Sequence, residues 1–291
     1  MENDGGKSLT GSSYEADWQI PQGVTPSNWE YVQAAHISNG YDEFLLDDPL
    51  TEVDRQIISR YLPDLSGVDV AASAPTKPLV ADFGCGNGRT LIPLLNRGYR
   101  GFGIDLSIPM LKAFQKKFGF KPERIESDSD SKKNECFWVQ ANLVELDCIS
   151  EGTFDHGISL FSTLGMIRGH ENRQGFLRHA RRTIKPGGWF ILHAHNVWYQ
   201  LRHPGGLRWA LGNGLRAIRG SAEFGDRESN YRGINNMFIH SFRRKELAKA
   251  LSLAGFSEFD WFGVSPHQDQ PVEGLPLGHP LRLVGWIVAC R

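Results

Sequence analysis

The residues best placed to do chemistry lie in one short run. Leu79-Val80-Ala81-Asp82-Phe83 is apolar apart from its acid and is followed at once by Gly84-Cys85-Gly86-Asn87-Gly88. Glycines there permit positive φ and bring the backbone against a ligand with no Cβ in the way. A helix expected over 88–98 adds free N–H groups and a partial positive charge at its start. A second apolar run, Gly101-Phe102-Gly103-Ile104-Asp105, again ends in an acid. A carboxylate at that strand end, beside the same crevice, suits the two hydroxyls of a ribose.

The spacing separates this turn from a nicotinamide-dinucleotide site. That fingerprint needs GxGxxG, the third glycine allowing close helix–strand packing. Here Arg89 stands at the third position and glycine falls one residue earlier, at Gly88. Asp82, two residues before Gly84, would repel a pyrophosphate but suits the ammonium of a methionine moiety. A second group of candidates is His193-Ala194-His195-Asn196. His193 and His195 are candidate catalytic residues, as a general base or as groups orienting an acceptor. They read equally as a histidine pair hydrogen-bonded at a strand end. Zinc is not expected there, and no metal elsewhere, because no nearby cysteine or acid completes a ligand set.

These residues need a sheet to position them, and the chain alternates strand and helix in the required way. After 79–83, a helix at 108–118 opens with Ser107 as cap and Pro109 in its first turn. Strands are expected at 136–140, 154–161 and 189–193, with a helix at 170–184 and the turn Lys185-Pro186-Gly187-Gly188 before the last of them. Segment 121–135 is charged and reads as an exposed loop. A helix at 244–254 stops at Gly255, and β-like runs follow at 257–264 and 281–290. Alternation of this kind implies right-handed crossovers and a mostly parallel sheet covered on both faces. In the segment before this core, apolar spacing at Val53, Ile57, Ile58 and Leu62 predicts a helix, one of two or three over 25–62.

The motifs in this order resemble those of the class I S-adenosylmethionine-dependent methyltransferases, from about Leu79 to Ala254. Val80 to Gly88 is similar to their first motif and Gly103 to Ser107 to their second. Gln140-Ala141-Asn142-Leu143 resembles the segment after the third strand, and Asp155 to Thr163 the fourth-strand motif. Leu177 to Ile191 resembles the helix–turn–fifth-strand signature. The resemblance implies a Rossmann-like seven-stranded α/β sheet whose last strand is antiparallel and inserted between the fifth and sixth. It further implies S-adenosylmethionine as cofactor, with Asp82, Gly84, Cys85, Gly86, Asn87 and Gly88 at its methionine end. Asp105 and Leu106 would lie at the ribose, Ala141, Asn142 and Leu143 at the adenine, and Leu160 and Phe161 along the cofactor's wall. The fourth-strand exit, Ser159 to Met166, lacks the Asn/Asp-Pro-Pro-Tyr pattern of enzymes acting on planar nitrogens. Ser162 and Thr163 read as cap residues, and transfer can rest on positioning alone.

The expected organisation is a disordered N-terminus at 1–17, a helical cap and linker at 18–77, and a methyltransferase domain at 78–291 with a cap insertion at 197–240. That insertion carries Trp198, Tyr199, Trp209, Tyr231 and Phe238 with Arg202, Arg208, Arg216, Arg219, Arg227 and Arg232. It reads as a lid over a small-molecule acceptor, as a solvated helix pair, or as an RNA-contacting face in a tRNA-modifying enzyme using 197–245. Trp29, Tyr31 and Tyr41-Asp42 are expected to close over the cofactor from the other side, or simply to pack on the sheet. A net charge of -1 over 291 residues gives no global field toward nucleic acid, so DNA is not expected as a partner, although a local basic face is compatible with it. Without a run of about 18 apolar residues or a secretory signal, no membrane partner is expected and the chain reads as cytoplasmic. Cys136, Cys148 and Cys290 beside apolar segments fit buried free thiols.

Overall fold

The computed structural model describes residues 20–46, 48–67, 76–119, 135–274 and 280–291. The expected disordered terminus, most of the charged loop and part of the linker lie outside these. Among the described residues the central strands are β1 (Leu79–Phe83), β2 (Arg100–Asp105), β3 (Cys136–Gln140), β4 (His156–Ser159) and β5 (Phe190–His195), and a hairpin follows, β6 (Asp226–Tyr231) and β7 (Ile234–His240). The last two are β8 (Phe259–Val264) and β9 (Gly285–Cys290). The main sheet runs β3-β2-β1-β4-β5-β9-β8, seven-stranded, with β9 antiparallel to both β5 and β8. This is the Rossmann-like order expected, last strand inserted before the sixth.

The sheet is covered on both faces. On one side α4 (Pro49–Tyr61) seats Val53, Ile57 and Ile58 against Val80, Ile158 and Ile191, the face its spacing marked as apolar. Beside it α5 (Leu91–Asn96) and α6 (Ile108–Phe118) pack together through Leu91, Leu111 and Phe114. On the other side α8 (His170–Thr183) and α10 (Arg244–Ala254) bury Phe176, Leu177, Leu247 and Leu251 against Phe83 and Phe190. Ser107 caps α6 as expected, its Oγ accepting from Met110 N at 3.3 Å. The glycine-turn helix is shorter than the expected 88–98, because Pro93 has no N–H to continue the bonding that Ile92 begins with the Gly88 carbonyl. Strand β4 is likewise shorter than 154–161, and β5 runs on to His195 because β9 pairs with it as far as Gly285. Cys136 and Cys290 are buried as expected, but Cys148 is exposed, being carried on a turn rather than on the strand before it.

Two segments outside this core meet above its carboxyl edge. The first has three short helices before α4, namely α1 (Pro26–Gln33), α2 (Ala35–Asn39) and α3 (Tyr41–Leu45), so the described residues of 25–62 hold four helices rather than two or three. The second is the insertion after β5: a 3-10 turn at Val197–Arg202, α9 (Gly206–Ile218), and the hairpin. The hairpin is not the helix pair considered from sequence. Its turn places Arg232 and Gly233 at φ 48 and 89, the primed geometry of two-residue hairpins, without the usual Asn-Gly signal. Its first strand, Asp-Arg-Glu-Ser-Asn-Tyr, has no apolar alternation to reveal it.

Asn28 of α1 staples the two segments together. Its Nδ2 donates to the carbonyls of Met166 and Phe238, each at 3.1 Å, while its Oδ1 accepts from Phe238 N at 2.8 Å. Replacing it strands a buried N–H, so Asn28→Leu should cost about 1–3 kcal/mol in urea unfolding. Unchanged stability would show that the staple contributes nothing.

Candidate functional site

The glycine turn leaves β1 at the carboxyl edge of the sheet, and its three glycines do different things. A Cβ on Gly84 would run into the Thr163 side chain, so this residue lets the turn touch α7 (Thr163–Met166), the short helix after β4. A Cβ on Gly88 would overlap the Phe114 ring, so Gly88 serves the seating of α6 and does not line the cavity. Gly86, at φ 53, has no atom within 4 Å of where a Cβ would stand. It is the glycine that opens the cradle. Its N–H donates to Asp105 Oδ2 at 2.8 Å, and Ser107 N donates to Asp105 Oδ1 at 2.8 Å. These bonds occupy part of the carboxylate and aim it at the turn, leaving acceptor capacity for a pair of hydroxyls.

Three buried acids lie at this cradle, and one guanidinium, that of Arg89, serves two of them, Asp82 and Asp54. Asp82 is buried, and burial pushes its carboxyl up to about 7, with Arg89 opposing the shift and Asp105 and Asp54 adding to it. No described residue hydrogen-bonds the Asp82 carboxylate. Asp54 of α4 is pushed up to about 6 by burial although Arg89 Nη2 donates to its Oδ2 at 2.9 Å. Burial also raises Asp105, against the pull of its backbone N–H partners. Arg89 lies over the Phe161 ring at 4.9 Å. The pocket therefore carries more potential negative charge than cation, which disfavours a pyrophosphate and suits a cationic ligand.

A single cavity of about 570 Å³ runs from this cradle into an apolar chamber, within the range of small-molecule sites. Of the residues expected at a cofactor, Asp82, Gly84, Cys85, Gly86, Asn87, Asp105, Leu106, Asn142, Leu143, Leu160 and Phe161 line it. Gly88 and Ala141 do not; Ala141 instead donates its N–H to the Asp105 carbonyl at 3.1 Å. Phe161 and Ser162 are consecutive non-glycine residues at φ 55 and 62, a strain of about 1–3 kcal/mol each that concentrates at functional turns. His195 reaches the cavity and His193 does not. Both face the same side of β5, but His193 lies one pleat deeper, buried with both ring nitrogens unpartnered. Burial holds His195 down to about 4, the Arg227 guanidinium adding to the effect and a hydrogen bond with the Val284 backbone opposing it. His195 is therefore a neutral imidazole, and a proton shared with Val284 leaves its other nitrogen an acceptor.

The roof comes from the two segments above the sheet. Tyr31 and Tyr41 line the cavity, and Trp29 does not. Burial raises both phenols well above their ordinary value, with Asp105 contributing, so both are neutral. Asp42 closes the cradle from above, accepting from Asn87 Nδ2 at 3.0 Å and Lys117 Nζ at 2.6 Å. Tyr231 of the hairpin lies 6.0 Å from Tyr31 and 5.8 Å from Phe44, ring to ring, joining roof to roof. Arg227 enters the chamber with no carboxylate partner among the described residues, and burial lowers its pKa. Asp54, Asn28, Met237, Ile239, Val264 and Val284 are wall or support residues that sequence reading did not single out. They belong to ordinary helix and strand patterns, and only the fold turns them toward one space.

Gly86→Ala and Gly88→Ala separate cradle from packing. Gly88→Ala should destabilise by about 1–3 kcal/mol through overpacking against Phe114, beyond its backbone strain. Gly86→Ala should cost only the left-handed strain, about 1 kcal/mol. Thermal unfolding of both variants measures this, and a larger loss for Gly86→Ala would reverse the assignment.

Residues 81–192 match the family described as "Methyltransferase domain". No curated protein sequence matches the chain. Among solved structures, a S-adenosylmethionine-dependent methyltransferase from Methanosarcina mazei is similar at 17% identity and TM-score 0.55, over 80% of this chain and 95% of that one. The CcbJ methyltransferase from Streptomyces caelestis is similar at 17% identity and TM-score 0.56, over 88% and 95%. The glycopeptide N-methyltransferase MtfA, complexed with (S)-adenosyl-L-homocysteine, is similar at 16% identity and TM-score 0.51, over 82% and 88%. At these identities the structural likeness concerns the fold. The chain thus carries a methyltransferase-domain match over 81–192 on a fold similar to that of S-adenosylmethionine-dependent methyltransferases.

Proposed function

We propose that the protein methylates an O, N or C nucleophile of a small-molecule acceptor held under the hairpin. The observation that carries this is the continuity of one roofed cavity, from Asp82, Gly86 and Asp105 through Phe161 to His195, Arg227 and Tyr231. The glycopeptide N-methyltransferase of the same fold holds the demethylated cofactor, which supports reading the cradle as the cofactor's seat. In this reading Asp82 faces the cofactor's ammonium, Asp105 its ribose hydroxyls, and Asn142 and Leu143 border its adenine. S-adenosylmethionine supplies a methyl group already activated on a sulfonium. The chain's own task is then to exclude water and align the acceptor, a contribution that orientation alone can make large. His195 stands on the rim as a neutral acceptor for the acceptor's proton, the role foreseen for the histidine pair. The RNA reading lacks a comparable observation. Arg202, Arg208, Arg216 and Arg219 lie exposed on the outer side of the insertion, away from the cavity.

Three measurements test this. The unfolded-state value of an aspartate is about 3.9, so a folded value near 7 favours folding at low pH, and that contribution is lost as pH rises through 7. A bound ammonium favours the ionised carboxylate, so binding releases a proton. Affinity for S-adenosylmethionine should rise with pH, by at most about tenfold per unit, and level off above the Asp82 value. Titration calorimetry should find this slope flattened in Asp82→Asn; an identical profile would remove Asp82 from the cofactor. For the acceptor, labelled cofactor should mark a small-molecule fraction and leave tRNA unlabelled. His195→Gln should lower kcat about 10²–10⁴-fold with cofactor affinity retained. Label appearing in tRNA would overturn the small-molecule assignment.

A further inference from the structure

Helix α9 carries an apolar stripe that the protein leaves uncovered. Leu207, Leu211, Leu215 and Ile218 are 68%, 63%, 53% and 85% exposed. They recur at intervals of four, four and three, one face of a 13-residue helix. Single exposed leucines are ordinary, but an aligned set of this kind marks a contact surface. Arg208, Arg216 and Arg219 each follow a stripe residue by one position, so all three lie about 100° round the helix, on the same flank. From Asn196 to Ala222 there is no Asp or Glu, and Arg202 adds a fourth guanidinium. The opposite side of the helix, with Trp209 and Asn213, faces the protein.

Charge and shape together choose the occupant. A second copy of this helix would cover the leucines but set arginines against arginines. RNA would take up the arginines but gain nothing from four aliphatic side chains, since base recognition uses aromatic faces. An anionic lipid surface satisfies both, with leucines among the acyl chains and arginines reaching the phosphates. We propose that α9 docks the protein on an anionic lipid surface as a peripheral contact. Among the described residues no helix is long and apolar enough to cross a membrane, and lying on a surface requires none. The overall charge of -1 does not oppose it, because such fields act within a Debye length of about 8 Å.

The helix is held firmly to the cavity's roof. Asn213 is buried, its Nδ2 donating to the Asp226 carbonyl at 3.0 Å and its Oδ1 accepting from Gly225 N at 2.8 Å. Arg227 of the chamber is the next residue along β6. A lipid surface under α9 would thus lie beside the element that roofs the acceptor chamber. This inference stands on the exposed helix and does not depend on the acceptor assigned above.

The test is co-sedimentation of the full chain with vesicles of phosphatidylcholine, with and without about 30% phosphatidylserine. Binding is expected only to the anionic vesicles, weakening about fivefold for each of Arg208→Gln and Arg216→Gln. The double variant Leu211→Asp/Leu215→Asp should lose binding while retaining affinity for S-adenosylmethionine, which shows it folded. No wild-type binding, or equal binding by the double variant, would overturn the proposal. So would a lipid-free dimer that Leu211→Asp dissociates, which assigns the stripe to a second copy. Retention of tRNA through the same arginines without vesicle binding would assign the flank to RNA.

Discussion

Three carboxylates removed from water, with one guanidinium among them for two, are the constraint on which the site depends. Asp82 comes from the first strand, Asp105 from the second and Asp54 from the helix before the sheet, with Arg89 bonded to Asp54 and opposing the shift of Asp82. Taking an ion out of water costs several kcal/mol unless it is paired, and here one cation serves more than one acid. The protein meets that cost in two ways. It bonds Asp105 to backbone N–H groups and Asp54 to Arg89. It leaves Asp82 near its protonation midpoint at neutral pH. A cradle in this electrostatic state is completed by a ligand that brings positive charge, which is the property separating a sulfonium cofactor from a dinucleotide.

Burial of those acids depends in turn on the roof. α1–α3 and the hairpin cover the carboxyl edge of the sheet, with Tyr31, Tyr41, Phe44 and Tyr231 lining the same cavity as Asp82 and Asp105. The roof is fastened along its length: Asn28 to β7, Asp42 to Asn87 and Lys117, Val32 to Ser107, Ile37 to Arg232, and the ring cluster of Tyr31, Phe44 and Tyr231. Each fastening joins a residue before the sheet to one within or after it. The roof supplies neutral phenols, aliphatic wall residues and Arg227 to the chamber, and β5 supplies His195.

The strands and helices of the core could be read from the chain because local rules and the tertiary fold agree there. β1 is a continuous apolar run because both its faces are covered, and α6 is bounded by Ser107 and Gly119 in the positions caps favour. Reading weakened where a residue's role is set by distant neighbours. Gly88 and Gly86 look alike in sequence, and only the approach of Phe114 divides packing from cradle. His193 and His195 alternate identically, and only the length of the β5–β9 pairing puts one of them at the rim. The hairpin escaped notice because its first strand is polar and its turn is Arg-Gly.

What the amino-acid sequence determined by itself is the glycine turn with its two strand-end acids, the alternating order of the core elements and the cofactor class they imply. Each of these follows from backbone stereochemistry and side-chain periodicity within a few residues. Tertiary structure alone decided which glycine opens the cradle, which histidine faces the chamber and that Asp54 joins the acids. It also brought the residues before the sheet together with the insertion after β5. These facts depend on contacts between positions as far apart as Asn28 and Phe238. They arise from burial and electrostatics summed over the assembled fold, which no local pattern encodes.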